Sequence, residues 1–195
     1  MIYSFLQNGD SAVTVQFQNE ISKEVNSQVT SLCDRLEAKH IDGVIELVPT
    51  FASLTVFYDC SVISSKKLKK KIEALIRDGE SHAKGAARVW NIPVCYDDEF
   101  ALDMETVCSH TKLTREEVIA LHTSKPYLIY MLGFLPGFAY LGGMDERLFT
   151  PRLKTPRLEI FEGAVGIGGE QTGIYPIASP GGWLVRKIGV SNRWS

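Results

Sequence analysis

No stretch of this 195-residue chain approaches the roughly 18 consecutive apolar positions of a membrane-spanning helix. The opening run, MIYSFLQNGDSAV, has no basic segment followed by an apolar one, so no secretory leader is expected and a cytoplasmic location is. Four cysteines (Cys33, Cys60, Cys95, Cys108) stand apart without a CxxC pair, which excludes a disulfide framework and predicts free thiols in a reducing compartment. The four histidines (His40, His82, His110, His122) lack HExxH or Cys-pair spacing, so no metal site is expected. A formal charge of −2 gives no general attraction to nucleic acid or membrane surfaces. The one basic run, KKLKKK at residues 66–71, reads as the solvated face of a helix. Phosphate-binding and nucleophile signatures are also missing. No GK[S/T] makes a P-loop, and Gln171 stands where GxGxxG would need a glycine after Gly166 and Gly168. No GxSxG elbow occurs either, because Ser179 is followed by Pro180, which spoils the required turn.

Glycine and proline are concentrated instead in one place: residues 133–182 hold eleven of the sixteen glycines and five of the eight prolines. Glycine permits positive φ and close backbone approach, while proline fixes φ, so their alternation specifies one loop path at the expense of helix or strand propensity. Sequences accept that conflict mostly at functional surfaces.

The first third alternates strand and helix signals. Val13, Val15 and Phe17 alternate with polar neighbours, whereas Ile21, Val25, Val29, Leu32 and Leu36 recur at helical spacing. Residues 44–48 and 54–58 read as two strands around Pro49 and Thr50, and Leu68, Ile72, Leu75 and Ile76 stripe a second helix. The expectation for residues 1–80 is an α+β domain, an antiparallel sheet with two helices on one face. Residues 78–88 are small and polar and read as a linker. In the second domain, residues 81–195, a strand is expected at 89–94, a short helix at 103–109 and a strand at 127–132. A T-x-x-E capping box at Thr114 and Glu117 predicts a further helix between them. The Gly/Pro-rich remainder suits a compact β-barrel.

Several residue types there could carry chemistry. His122 is either a general acid or base or a cation at its own helix C-terminus. Phe134, Phe138 and Tyr140 suit a flat wall for a small ligand, or core packing. Arg152 and Arg157, each behind a proline in PRLKTPR, suit a carboxylate or phosphate, or else loop-stapling ion pairs. Gln171, Thr172 and Tyr175 offer amide and hydroxyl groups among glycines, a set fit for a small amide or carboxylate.

Three runs, YMLGFLPGFAYLGG (130–143), PRLKTPR (151–157) and GAVGIGGEQTGIYPIASPGGW (163–183), resemble those of the 5-oxoprolinase B-subunit family, which includes the Kip-type kinase inhibitors and allophanate hydrolase subunit 1 domains. The resemblance implies an N-terminal α/β domain followed by a cyclophilin-like β-barrel. It also implies work with A and C subunits in the ATP-dependent opening of 5-oxoproline to L-glutamate. In that chemistry phosphorylation of the lactam oxygen yields an imidate that water attacks, and the site needs donors for a carboxylate and for phosphoryl charge. Arg152, Arg157, Gln171 and the Gly166, Gly168 and Gly169 backbone are candidates by residue type, with ATP bound together with the partner subunit. Two departures stand out. After GGW the chain reads LVRKIGVSNRWS in place of the family's usual continuation, so a C-terminal truncation of the barrel is expected, and Phe161 replaces a common proline. The alternative function is a Kip-type inhibitor that binds a sensor histidine kinase; carboxyl transfer is a third, requiring a biotinylated partner.

Overall fold

The computed structural model describes residues 2–79, 88–97 and 101–187, the side chains of the last two excepted. The linker read at 78–88 and the tail after residue 187 fall largely or wholly outside these residues. Cα packing divides the chain into two units, residues 1–87 and 88–195. The architecture is α+β with antiparallel sheets.

In the first unit the strands β1 (Tyr3–Asn8), β2 (Ala12–Phe17), β3 (Val44–Pro49) and β4 (Ser53–Tyr58) form one antiparallel sheet in the order β1-β2-β4-β3. Helices α1 (Lys23–Lys39) and α2 (Ser65–Asp78) supply the apolar stripes. Val25, Val29, Leu32 and Leu36 of α1 and Leu68, Ile72 and Ile76 of α2 close over Val13, Val15, Leu54 and Val56 in a single core. Each such side chain contributes about 1.5–3 kcal/mol by leaving water. Ser22 Oγ accepts the Val25 N–H at 3.1 Å and sets the start of α1. Lys66, Lys67, Lys70 and Lys71 lie on the exposed side of α2, so the basic run is a solvated helix face. Strand β1 is absent from the sequence reading. It is an edge strand with only Tyr3 and Phe5 half-buried, so its alternation is weak.

The second unit opens with residues 88–97 in no regular structure, where a strand was expected at 89–94; Val89, Trp90 and Ile92 are exposed and no ladder partner stabilises an extended pair. Helices α3 (Met104–Thr111) and α4 (Arg115–Thr123) follow, α4 opened by the Thr114–Glu117 capping box. Strands β5 (Leu128–Leu132), β6 (Ala139–Gly142), β8 (Ala164–Gly168), β9 (Gln171–Ile174) and β11 (Leu184–Lys187) make an antiparallel sheet in the order β11-β8-β9-β6-β5. Strands β7 (Arg157–Ile160) and β10 (Ser179–Gly181) form a separate two-stranded ladder.

Register assigns the two faces of the five-stranded sheet. Leu141, Thr172, Ile167 and Leu184 are cross-strand neighbours on one face, and Tyr140, Gly173, Gly166 and Val185 on the other. The first face packs on α3 and α4 through Met104, Val107, Val118, Ile167 and Leu184. The second carries Phe138, Tyr175, Trp183 and Val185, with Ile160 of the small ladder in the same cluster.

Candidate functional site

The aromatic face holds a concave cleft of about 280 Å³ lined by Phe134, Phe138, Tyr140, Arg152, Tyr175 and Trp183, with Pro156 and residues 180–182 at its rim. Phe138 is its hub, its ring edge-to-face with Tyr140 at 4.8 Å, Tyr175 at 4.9 Å and Trp183 at 5.5 Å. Such contacts fix each ring's orientation beyond what area burial alone would do. Phe134 closes the rim from the β5–β6 turn. It is 59% exposed and has φ of 65°, a left-handed backbone that a bulky side chain rarely adopts. Leu135 N–H donates to Gly133 O at 2.7 Å and Phe138 N–H to Leu135 O at 3.0 Å, and this tight turn holds the strained residue.

The glycines explain how Trp183 fits. A Cβ on Gly168 would lie 2.6 Å from the Trp183 indole, and one on Gly173 would lie 2.9 Å from both Phe138 and Trp183. Gly166 and Gly168 belong to β8, paired with Val185, Gly173 and Gln171 across the ladder. Their backbone is therefore a strand under an indole, an occupation quite different from the phosphate cradle suggested by residue type. Gly169, with φ of 66°, forms the open turn to β9, and a Cβ there would meet nothing.

Tyr175 is buried, and burial first, then Tyr140, pushes its phenol above the usual value against smaller opposing effects of Arg152 and the Trp183 backbone N–H. It thus remains a hydroxyl throughout the neutral range. The Arg152 guanidinium sits 5.5 Å from the Trp183 ring centroid, a cation–π distance.

The remaining sequence-derived residues are placed elsewhere. Arg157 makes a bidentate ion pair with Asp103 (2.6 and 2.8 Å), which also accepts the Val185 N–H at 2.7 Å. Asp103 holds the guanidinium above its ordinary range, and the loop-stapling alternative describes this arginine. His122 is buried on the helical face, opposite the cleft: Nδ1 meets Tyr96 Oη at 2.8 Å and Nε2 meets Thr172 Oγ1 at 3.0 Å. Thr172 Oγ1 gives its only proton to Gly166 O at 2.9 Å, so the ring N–H lies on Nε2 and, in the neutral ring, Nδ1 accepts from Tyr96. His122 lies in the last turn of α4, and its carbonyl is met by Tyr127 Oη at 2.7 Å. Thr172→Val removes the acceptor for Nε2–H at constant shape, and denaturant titration should show a loss of about 1–3 kcal/mol. Gln171 is buried beside Gly168 on the cleft face, its Nε2 without a hydrogen-bond partner among the described residues.

Trp183, Asp103 and Tyr96 were not singled out from sequence. Trp183 had a signal, a lone tryptophan after paired glycines; Asp103 and Tyr96 had none, since their partners are 82 and 26 residues away. Among the described residues no group of three or more His, Cys, Asp or Glu could hold a metal, and no helix is long and apolar enough to cross a membrane.

The sequence matches the family of the carboxyltransferase domain, subdomain C and D, over residues 3–192. It is 43% identical over 191 residues to the 5-oxoprolinase B subunit of Bacillus subtilis (strain 168), covering 93% of this chain and 80% of that protein. The chain belongs to the 5-oxoprolinase B-subunit family. Among solved structures it resembles TTHA0988, with a TM-score of 0.76 and 34% identity, covering 91% of this chain and 34% of that one, so it spans about a third of that protein's length. The urea carboxylase of Kluyveromyces lactis superposes with a TM-score of 0.82 at 21% identity, covering 95% of this chain and 19% of that protein, a likeness of fold. The oxoprolinase family and these carboxyltransferase-like domains therefore share one α+β scaffold.

Proposed function

We propose that this chain is the B subunit of an ATP-dependent 5-oxoprolinase that, with A and C subunits, opens 5-oxoproline to L-glutamate. The observation that carries this reading is 43% identity along 93% of the chain to a protein named as the B subunit of 5-oxoprolinase. In this reading the aromatic cleft binds substrate through Phe134, Phe138, Tyr140, Arg152 and Tyr175. Thr172 and His122 hold β9 from behind, and Arg157 fixes the loop that carries Arg152. The family likeness, together with an aromatic cluster shared by the five-stranded sheet and the small ladder, supports a cyclophilin-like barrel for the second unit.

The cleft of this chain offers little to a triphosphate. Its volume of about 280 Å³ holds a small molecule, its lining has one cation, and Gly166 and Gly168 are committed to the sheet. The nucleotide is therefore assigned to a partner subunit, and this chain alone is expected to be inactive. Leu128, Ile129 and Leu132 leave an uncharged apolar edge on β5, which supports a role within a larger complex. The protein is read as cytoplasmic.

Mixing this chain with its cognate A and C subunits, each omitted in turn, should give 5-oxoproline-dependent ATP hydrolysis only when all three are present. No turnover in the complete mixture overturns the reading and leaves inhibition of a histidine kinase as the function to assay.

A further inference from the structure

Three side chains on the cleft face carry donors for which no acceptor stands among the described residues. Arg152 has no hydrogen bond or ion pair among the described residues, whereas Arg115 reaches the Tyr96 carbonyl, Arg147 binds Asp145 and Arg157 binds Asp103. Tyr175 is 2% exposed and takes the Trp183 backbone N–H on its oxygen, and among the described residues no acceptor meets its own proton. Gln171 is 7% exposed and its Nε2 is likewise unmet. Among the described residues no Asp or Glu lines the cleft. Buried donors without acceptors are costly, and a set of them beside an unpaired guanidinium is complementary to an acceptor-only group.

We propose that the cleft is a carboxylate subsite for a small, flat organic acid: the guanidinium of Arg152 binds the carboxylate, Tyr175 donates to an oxygen of the same ligand, and the aromatic wall of Phe138, Tyr140 and Trp183 holds its ring. One guanidinium and apolar walls select a monoanion over a polyphosphate. The inference rests on the proposed function in one respect: the acid would be the lactam substrate, so this chain and not a partner would hold its carboxylate.

The test uses the full-length chain and five probes: 5-oxoproline; 2-pyrrolidinone, the same ring without the carboxylate; pyrrole-2-carboxylate, a flat acid with no lactam; inorganic phosphate; and ATP. Binding is followed by calorimetry and by the Trp183 indole N–H resonance. Both acids should bind and shift that resonance, while 2-pyrrolidinone binds at least about tenfold more weakly and neither phosphate nor ATP competes. Arg152→Lys, at an exposed position, keeps charge and fold but loses the fork and should weaken both acids about tenfold. Tyr175→Phe should weaken them less. Equal binding of 2-pyrrolidinone, competition by phosphate or ATP, or unchanged affinity in Arg152→Lys and Arg152→Ala would overturn the proposal. The two readings separate in the reconstituted enzyme. Turnover with KM unaltered by Arg152→Ala sinks the subsite and spares the function, whereas acid binding without turnover in the complete mixture does the reverse.

Discussion

Asp103→Ala should lower the stability of the second unit by about 3 kcal/mol, a drop in its unfolding midpoint on the order of 10 °C. Asp103 is 5% exposed, and its two oxygens take both Nη groups of Arg157 and the Val185 N–H. Removing the carboxylate strands a backbone donor on β11, which is an edge strand among the described residues, and leaves a guanidinium with no counter-charge. Loss of one partner of a buried pair costs about 3–5 kcal/mol, and the lower end applies because the Arg157 side chain is 32% exposed and can turn to water. The control is chemically similar. Arg147 forks onto Asp145 at 2.9 Å with its own side chain 63% exposed, so Arg147→Ala should change little. Urea unfolding of the two variants side by side decides the matter, and equal, small effects would show that Asp103 does not hold β11. The same clamp bears on the cleft, because Arg157 follows Pro156 and Val185 lies two residues after Trp183, and both Pro156 and Trp183 line it.

What could be read from the sequence was local. The stripes Val25, Val29, Leu32, Leu36 and Leu68, Ile72, Ile76 announce α1 and α2 because a helix repeats its buried side every three or four residues, and all seven are buried. The capping box at Thr114 and Glu117 is legible for the same reason, both bonds being made within four residues. Long-range pairing has no such signature. Asp103 looks like any acid before a short helix, and only folding brings Arg157 and Val185 to it. Val89 and Ile92 carry strand propensity, yet an extended segment becomes a strand only where a neighbour offers a ladder, and residues 88–97 have none among the described residues. The glycine-rich motif was readable as a constraint but not as a particular one. Close approach of a phosphate and close approach of an indole both demand a missing Cβ, and sequence does not distinguish them.

Gly168→Ala separates those two demands and should be among the most damaging single-methyl changes in the cleft. The added Cβ would stand 2.6 Å from Cε2 and Nε1 of Trp183, well inside any real contact. Relief has to come from one side or the other. Strand β8 lies inside the five-stranded sheet with β11 and β9 on its flanks, so the backbone is fixed. Trp183 must therefore swing out, giving up its packing on Phe138 at 5.5 Å and Tyr140 at 5.7 Å and its contact with Arg152. Overpacking of this kind costs about 1–3 kcal/mol. The functional loss should exceed that, because the displaced indole is the wall on which a flat ligand would lie. Gly169→Ala is the matched comparison: its φ of 66° imposes backbone strain of about 1 kcal/mol, but the space around it is open. A phosphate cradle predicts that both alanines impair binding of inorganic phosphate and leave Trp183 undisturbed. The packed indole predicts a shifted Trp183 signal and lost binding of 5-oxoproline for Gly168→Ala, with near-normal ligand binding for Gly169→Ala. Indole resonances and calorimetric titrations of the two variants distinguish these outcomes, and an unshifted Trp183 in Gly168→Ala would show that the indole does not rest on β8.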